Sequence, residues 1–401
     1  MSKNQIEEKI GIMKILYIEA CNYVDFPVGG QLSFGRQMVQ AFGNELDLVG
    51  ITTDDTPVGK WIKKEINGVS FNYFSLHKAN KVVGKPFIPR RLSTYYYLTK
   101  YRRKILNKEY ENAFCNAPET LLAIQKWGIK NLTYYFSGMG NPLSISRRWY
   151  GRMIASAFDP IFLPSLKKAS LILAASDTEN INKTIQSSNN ILQPGDIIQF
   201  PSRIDTSFFK NEDKINCRKA LNLQEDKIII STTGRLHWAK GWKFMIDAFI
   251  AFREIHPDSH LNFIGDGSDR EEIELYLKDE NLTENVFLLG FQSHHIIAKY
   301  LNASDLYIMG SIVEGWATSL VEAKGCGVPI CTTDFSSAKD IVQQGKDGYV
   351  VDERNEKVFA EYMMKALKLN INSHTLEKEM QKYSVQSIKT DLLMHWKAKS
   401  I

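Results

Sequence analysis

The chain is poor in cysteine, and poorer still in the spacings for which cysteine is used. Its five cysteines (Cys21, Cys115, Cys217, Cys326 and Cys331) are odd in number, scattered and never spaced C-x-x-C. That argues against a disulfide framework or a zinc site and fits a reducing compartment. A run of ~20 apolar residues is missing, and so is a signal-peptide core: the charged start MSKNQIEEKIG leads into an apolar stretch broken by Gly11 and Lys14. Nothing here exports the chain, so a cytoplasmic location is expected. No G-x-G-x-x-G follows a first strand, which removes a nicotinamide dehydrogenase from consideration. Acidic residues are absent from 66 to 108, where ten cations occur between Lys78 and Lys108.

What is present is the balance of a globular protein: 44% of the 401 residues are hydrophobic and 24% are charged. Single domains usually run ~100–200 residues, so two are expected. The net charge of +5 is uneven, with 26 Lys and Arg against 17 Asp and Glu in residues 1–205, and 24 against 28 in the remainder.

Short apolar runs alternate with amphipathic segments, the pattern of a parallel α/β sheet. Strands are expected at 13–18, 46–51, 131–136 and 170–174, with helices near 30–42, 92–108, 118–127 and 147–168. The segment 200–214 reads as a linker before the pattern restarts with strands at 227–234, 259–265, 285–290, 305–311, 328–333 and 347–351. Helices are expected there at 240–252, 268–281 and from about 319. The domains are therefore 1–205 and 206–381, with a last helix over about 382–401 packing back on the first. Two such domains usually leave a cleft where the carboxyl ends of their strands face each other.

The second domain places glycine-, base- and acid-bearing loops directly after its strands, where they should share one rim. Arg235 and Lys240 lie on the loop from Gly234 that enters a helix. A planar fork of donors, a mobile point charge and a helix amino terminus together suit a diphosphate. Spacing alone fits a solvated pair of surface cations as readily. Gly265 and Gly267 flank Asp266 and permit tight turning or close backbone approach. Glu314 and Glu322 stand on either side of the amides of Thr318, Ser319 and Leu320, a helix-start anion site beside which carboxylates can hold sugar and ribose hydroxyls. Ser319 to Glu322 also fits a capping box, in which Glu322 only caps the helix. His237 fits a phosphate contact or a structural role. His294 and His295, adjacent at the opening of a helix, point in different directions and have no ligand at metal spacing.

The ordered set of Arg235 and Lys240, Gly265-Asp266-Gly267, Leu289-Gly290, Ala303-Ser304-Asp305, the loop from Glu314 to Glu322, Gly327-Val328-Pro329 and Gly345 to Val350 resembles the retaining glycosyltransferase family 4. The resemblance is close over about 230–352 and looser in the first domain, through 28–42 and 204–209. It implies the GT-B fold, two Rossmann-like doubly wound α/β domains facing across a cleft. It also implies a nucleotide diphosphate sugar donor, retention of anomeric configuration, and a hydroxyl of a glycan or lipid-linked glycan as acceptor. By position, Arg235 and Lys240 would bind the donor diphosphate, Glu314 the transferred sugar and Glu322 the ribose, which makes Arg235, Lys240 and Glu314 the expected catalytic residues. The implied donor-binding set is Gly30, Gly234, Gly265, Gly267, Leu289, Gly315, Thr318, Ser319, Leu320 and Glu322. Gly29-Gly30 would let a loop of the first domain approach the phosphates and acceptor. The chain departs from the family at Asn116, where many members carry a His near the sugar, at Ala317, and at Lys324-Gly325. Asp-x-Asp, the metal-sugar-phosphate signature of the other major transferase fold, is absent. Neither a metal nor a cofactor beyond the donor is therefore implied.

Two rivals remain open: a sugar-nucleotide 2-epimerase of the same fold, and a non-catalytic nucleotide-sugar binding subunit. The basic stretch carries Arg90, Arg91, Lys100, Arg102, Arg103 and Lys104 with several tyrosines. An anionic membrane surface at the inner face, or an acceptor, is the expected partner. A solvated charged helix is the alternative, and a nucleic acid is not expected.

Overall fold

The structure, a computed structural model, describes residues 14–27, 30–81, 89–136, 153 and 155–399. It divides into one unit of residues 1–201 with 385–401 and another of residues 202–384.

In unit 1 the elements run β1 (Ile15–Ile18), α1 (Gly30–Phe42), β2 (Leu46–Thr52), β3 (Trp61–Ile66), β4 (Val69–Lys78), α2 (Arg90–Ile105), β5 (Asn112–Cys115), α3 (Pro118–Ile124), β6 (Asn131–Phe136), α4 (Ala155–Leu166), β7 (Leu171–Ala174), α5 (Thr178–Ser187) and β8 (Ile197–Gln199). Strands buried on both faces become continuous apolar runs in a parallel sheet, as ILYI and LILA do here. The sheet order is β3-β4-β2-β1-β5-β6-β7-β8. Chain order reverses between β1 and β5. Among the described strands of this sheet only β3 runs antiparallel, paired with β4 from Trp61 beside Phe74 to Ile66 beside Val69. Its turn is Asn67-Gly68, both at positive φ (51° and 77°), the strongest short hairpin signal there is. This hairpin, β5 and β8 were not among the expected strands. The expected helix over 147–168 begins outside the described residues and is seen as α4.

Unit 2 runs α6 (Lys214–Ala220), β9 (Ile228–Thr233), α7 (Trp242–Arg253), β10 (Ser259–Ile264), α8 (Arg270–Asp279), β11 (Val286–Leu288), α9 (His294–Ala303), β12 (Leu306–Met309), α10 (Thr318–Gly325), β13 (Ile330–Thr333), α11 (Ala338–Ile341), β14 (Gly348–Val351), α12 (Glu356–Ala366) and α13 (Ser373–Met380). Its sheet, ordered β11-β10-β9-β12-β13-β14, is parallel throughout and reverses between β9 and β12. The expected linker is not a free tether. Ile204 and Phe209 are each 2% exposed in the core of unit 2, the Ile204 amide donates to the Tyr383 carbonyl at 2.8 Å, and Asp213 caps α6 through the Asn216 amide.

Helix α14 (Ser387–Lys399) belongs to unit 1. It buries Ile388, Leu392 and Trp396 there, and the Trp396 indole donates to Thr133 Oγ1 at 2.7 Å. Among the described residues no helix is long and apolar enough to cross a membrane.

Candidate nucleotide-sugar site

In an open α/β sheet, ligands bind beyond the carboxyl ends of the strands at the point where strand order reverses. In unit 2 that point lies between β9 and β12, and the loops leaving these two strands carry Arg235, Lys240 and Glu314. Three glycines let the loops crowd together. A Cβ on Gly265, whose φ is 147°, would stand 1.9 Å from the Gly234 carbonyl oxygen, and one on Gly267 would stand 2.1 Å from that of Leu236. One on Gly241 would stand 1.9 Å from that of Gly310. The glycines at 265 and 267 therefore serve a loop-to-loop approach, sealed by the Leu236 amide donating to the Asp266 carbonyl at 3.1 Å. Leu289 joins the same rim through its amide to the Phe263 carbonyl at 2.9 Å, and Gly290 bridges Gly265.

A pocket here is lined by Thr233, Gly234, Arg235, Lys240, Met309 and Ser311. Arg235 is exposed, and its guanidinium has no bonding partner among the described residues. Lys240 Nζ pairs with Glu314 Oε1, which also accepts from Ser311 Oγ at 2.8 Å. The expected assignment put these two charges on different parts of the donor; here they neutralise each other directly. A diphosphate would have to draw Lys240 away from Glu314, leaving that carboxylate free for a hydroxyl. The Glu314 carbonyl accepts from Ser336 Oγ at 2.5 Å, which pins the loop, while Gly315 is exposed with nothing near its Cα face.

Helix α10 supplies less of an anion site than expected. The Thr318 amide already donates to the Trp316 carbonyl and the Leu320 amide to that of Ala317, both at 3.0 Å, so Ser319 alone of the three is left to donate. The Leu320 side chain is wholly buried in the core. The capping box is not formed either: the cap residue is Ala317, without a side-chain bond, and Ser319 Oγ approaches Met309 Sδ at 3.7 Å. Glu322 keeps partial exposure and has no hydrogen-bonding partner among the described residues. Burial pushes its carboxyl up from 4.5 to about 8. An unpartnered carboxyl one turn into this helix is a ready acceptor for ribose hydroxyls.

Lys324, the departure next to Glu322, does not face the donor loops. Fully buried, it donates to Asp347 at 2.6 Å and to the Ile341 carbonyl at 3.0 Å, with Glu379 at 3.3 Å, tying α10 to α13. Asp305 is likewise structural, accepting from the buried Arg218 at 2.6 Å and the Ile229 amide at 2.8 Å. His294 and His295 stand by different rings, Phe209 and Phe208.

The remaining expected residues lie in unit 1. Gly30 opens α1, and Gly29 lies outside the described residues. Asn116 follows β5, 2% exposed, with both side-chain polar atoms unpartnered. Arg90, Arg91, Lys100, Arg102, Arg103 and Lys104 are carried by α2. Sequence reasoning missed Ser311, which orients Glu314, and Tyr307, whose hydroxyl meets Thr233 Oγ1 at 3.1 Å beneath the pocket; an apolar strand gave no sign of either.

The profile of the family described as "Glycosyl transferases group 1" matches residues 213–384. An uncharacterized glycosyltransferase of Methanocaldococcus jannaschii is 23% identical over 279 residues, 68% of this chain and 66% of its own. The UDP-Gal:alpha-D-GlcNAc-diphosphoundecaprenol alpha-1,3-galactosyltransferase of Escherichia coli is 26% identical over 43% of this chain and 46% of its own. The matched stretch is thus less than two thirds of either relative. Among solved structures, Anabaena HepE in complex with UDP superposes with a TM-score of 0.70 over 96% of this chain and 100% of its own, at 16% identity. Residues 213–384 thus carry a likeness to the glycosyl transferases group 1, and the fold is GT-B.

Proposed function

We propose that the protein transfers a sugar, with retention, from a nucleoside diphosphate sugar to a hydroxyl of a glycan or lipid-linked glycan. The observation that carries this is the convergence of Arg235, Lys240 and Glu314 on one rim at the switch point of unit 2. Arg235 and Lys240 stabilise charge developing on the departing diphosphate, the work a metal does elsewhere. Glu314, released from Lys240, holds a sugar hydroxyl, and Glu322 holds the ribose. No side chain there stands out as a covalent nucleophile, so front-face attack assisted by the leaving phosphate is the course proposed. A UDP complex of a protein of the same fold and a relative named for a diphosphoundecaprenol acceptor support the donor and acceptor classes.

Calorimetry in buffer containing EDTA tests the assignment. UDP should bind the wild type without added metal, and Arg235→Ala or Lys240→Ala should weaken it by ~1.5–3 kcal/mol, the scale of a charge-assisted hydrogen bond. Unchanged affinity in both variants, or wild-type binding that appears only with magnesium or manganese, would remove the metal-free diphosphate site.

A further inference from the structure

Unit 2 holds a further pocket outside the donor pocket, about 470 Å³ in volume, within the ~300–1,000 Å³ usual for small-molecule sites. Trp238 and Ile312 form much of its apolar lining, at 62% and 48% exposure. Indoles are highly buried on average, so one this open to solvent needs an explanation. Its backbone is fixed nonetheless. The Gly241 amide donates to the Trp238 carbonyl at 2.9 Å, the Lys240 amide to that of His237 at 2.8 Å, and the Ile312 amide to that of Ala239 at 2.9 Å. The ring is therefore carried on a pinned turn.

The polar lining decides what can cover that ring. Glu272 stands in the first turn of α8 and Glu356 opens α12, and neither carboxylate has a hydrogen-bonding partner among the described residues. Arg354 donates to the Gly310 carbonyl at 3.0 Å and lies over the Phe244 ring at 4.5 Å, which leaves most of the five donors of its fork to be used. Lys243 is occupied by Asp247 at 3.3 Å and by the Tyr276 hydroxyl at 2.7 Å. Three carboxylates against two cations disfavour an anion, and the Arg354 guanidinium disfavours a cation. An apolar ligand would strip water from charged groups without bonding them. A neutral molecule with one apolar face and a rim of hydroxyls suits the whole lining, because a hydroxyl donates to a carboxylate and accepts from a guanidinium.

We propose that this pocket is a carbohydrate-binding subsite of unit 2, in which a pyranose ring lays its C–H face on Trp238 and bonds Glu272, Glu356 and Arg354 through its hydroxyls. The subsite adjoins the donor loops. Trp242 lines both pockets, and Trp238 and Ile312 stand two residues from Lys240 and Glu314 respectively. A sugar unit held there is a part of the glycan acceptor that does not react, and its binding orients the part that does. That role rests on the transferase reading; the binding of a sugar on Trp238 does not.

The test compares wild type with Trp238→Ala, Trp238→Phe and Glu272→Ala on a glycan array, followed by calorimetry with the glycan that binds best, with an oligolysine peptide and with UDP. Both positions are exposed, so Tm should hold. Wild type should bind glycan, and affinity should fall by about tenfold in Trp238→Ala and in Glu272→Ala, the loss of one ring contact or one charge-assisted bond. Trp238→Phe, which keeps a ring, should recover most of it. Affinity for UDP should not change in any variant. A wild type that binds nothing on the array, or equal glycan affinity in all four proteins, overturns the subsite. So does a Trp238→Ala variant that loses UDP and glycan together, which makes the ring a support of the donor loop, or oligolysine binding that Glu272→Ala abolishes, which assigns the pocket to a cationic partner. A wild type that binds glycan through Trp238 but not UDP would remove the nucleotide-sugar reading and leave the subsite standing.

Discussion

Glu322 shows what a single carboxyl can reveal once its neighbours are known. The pattern Ser319 to Glu322 fitted a helix cap and a ribose ligand alike; the helix starts at Thr318 behind Ala317, and the cap does not form. Because burial raises the folded carboxyl to about 8 from an ordinary 4.5, the unfolded chain ionises first as pH rises. Stability is therefore unaffected below 4.5 and declines through the window between these values. Glu322→Gln removes the titration. It should match the wild type in Tm at about pH 4.5, exceed it at about pH 8, and bind UDP more weakly. A variant less stable at both pH values would return Glu322 to a structural role. Lys324 is the opposite case: it departs from the family pattern beside Glu322, and its ammonium is held by Asp347 and Glu379 at the other side of α10.

Among the elements, α2 departs most from its expected form. At helical spacing Leu92, Tyr96, Leu98, Tyr101 and Ile105 make only an imperfect apolar stripe. The helix instead buries Thr94, Leu98 and Ile105, with Tyr97 and Tyr101 against the core, and leaves Leu92 and Tyr96 61% and 58% exposed. Among the described residues its cations form no ion pair with an acid. Lys100 lies over the rings of Tyr96, Tyr97 and Tyr101 at 5.5–5.8 Å, and Arg102 donates to the Lys126 carbonyl at 3.1 Å. Exposed Leu92, Tyr95 and Tyr96 among uncompensated cations have the composition of a membrane-interface helix, a reading that remains a proposal. Each cation near anionic lipid contributes ~1 kcal/mol, so changing Arg90, Arg91, Arg102 and Arg103 to Ser should cost ~4 kcal/mol, about a thousandfold in partitioning. Flotation with anionic liposomes at low and high salt reads this directly. Equal flotation of both proteins, or none by wild type at low salt, leaves a solvated basic face. The β3–β4 hairpin carries the opposite lesson, since Asn67-Gly68 between strand-forming runs was legible and its local signal was overlooked.

At the scale of the molecule, the chain leaves unit 1 for unit 2 and returns to close the first. Ile388, Leu392 and Trp396 of α14 are buried in unit 1, each contributing ~1.5–3 kcal/mol by removal from water. Truncation after Ser384 should therefore lower the unfolding temperature of unit 1 while leaving that of unit 2 nearly unchanged. Scanning calorimetry of the truncated chain should resolve two transitions, only one of them shifted. A common shift of both would show that α14 does not belong to unit 1 alone.

By itself the sequence determined the α/β alternation, the break near residue 200 and the order of the donor loops. These depend on local periodicity and on glycine, cation and carboxylate spacing, which the chain carries without reference to its fold. It left undecided which of two roles Glu322, Lys324 and Gly265 would play, because a carboxyl, an ammonium or a glycine serves a ligand and a scaffold equally well until its neighbours are named. Only the tertiary structure decided that. Two strand orders, each reversing beside its first strand, bring Lys240 to Glu314 in one sheet and the end of β1 beside the end of β5 in the other. Such pairings join residues roughly seventy to a hundred positions apart, beyond the reach of any local pattern, and they follow from which strand lies beside which.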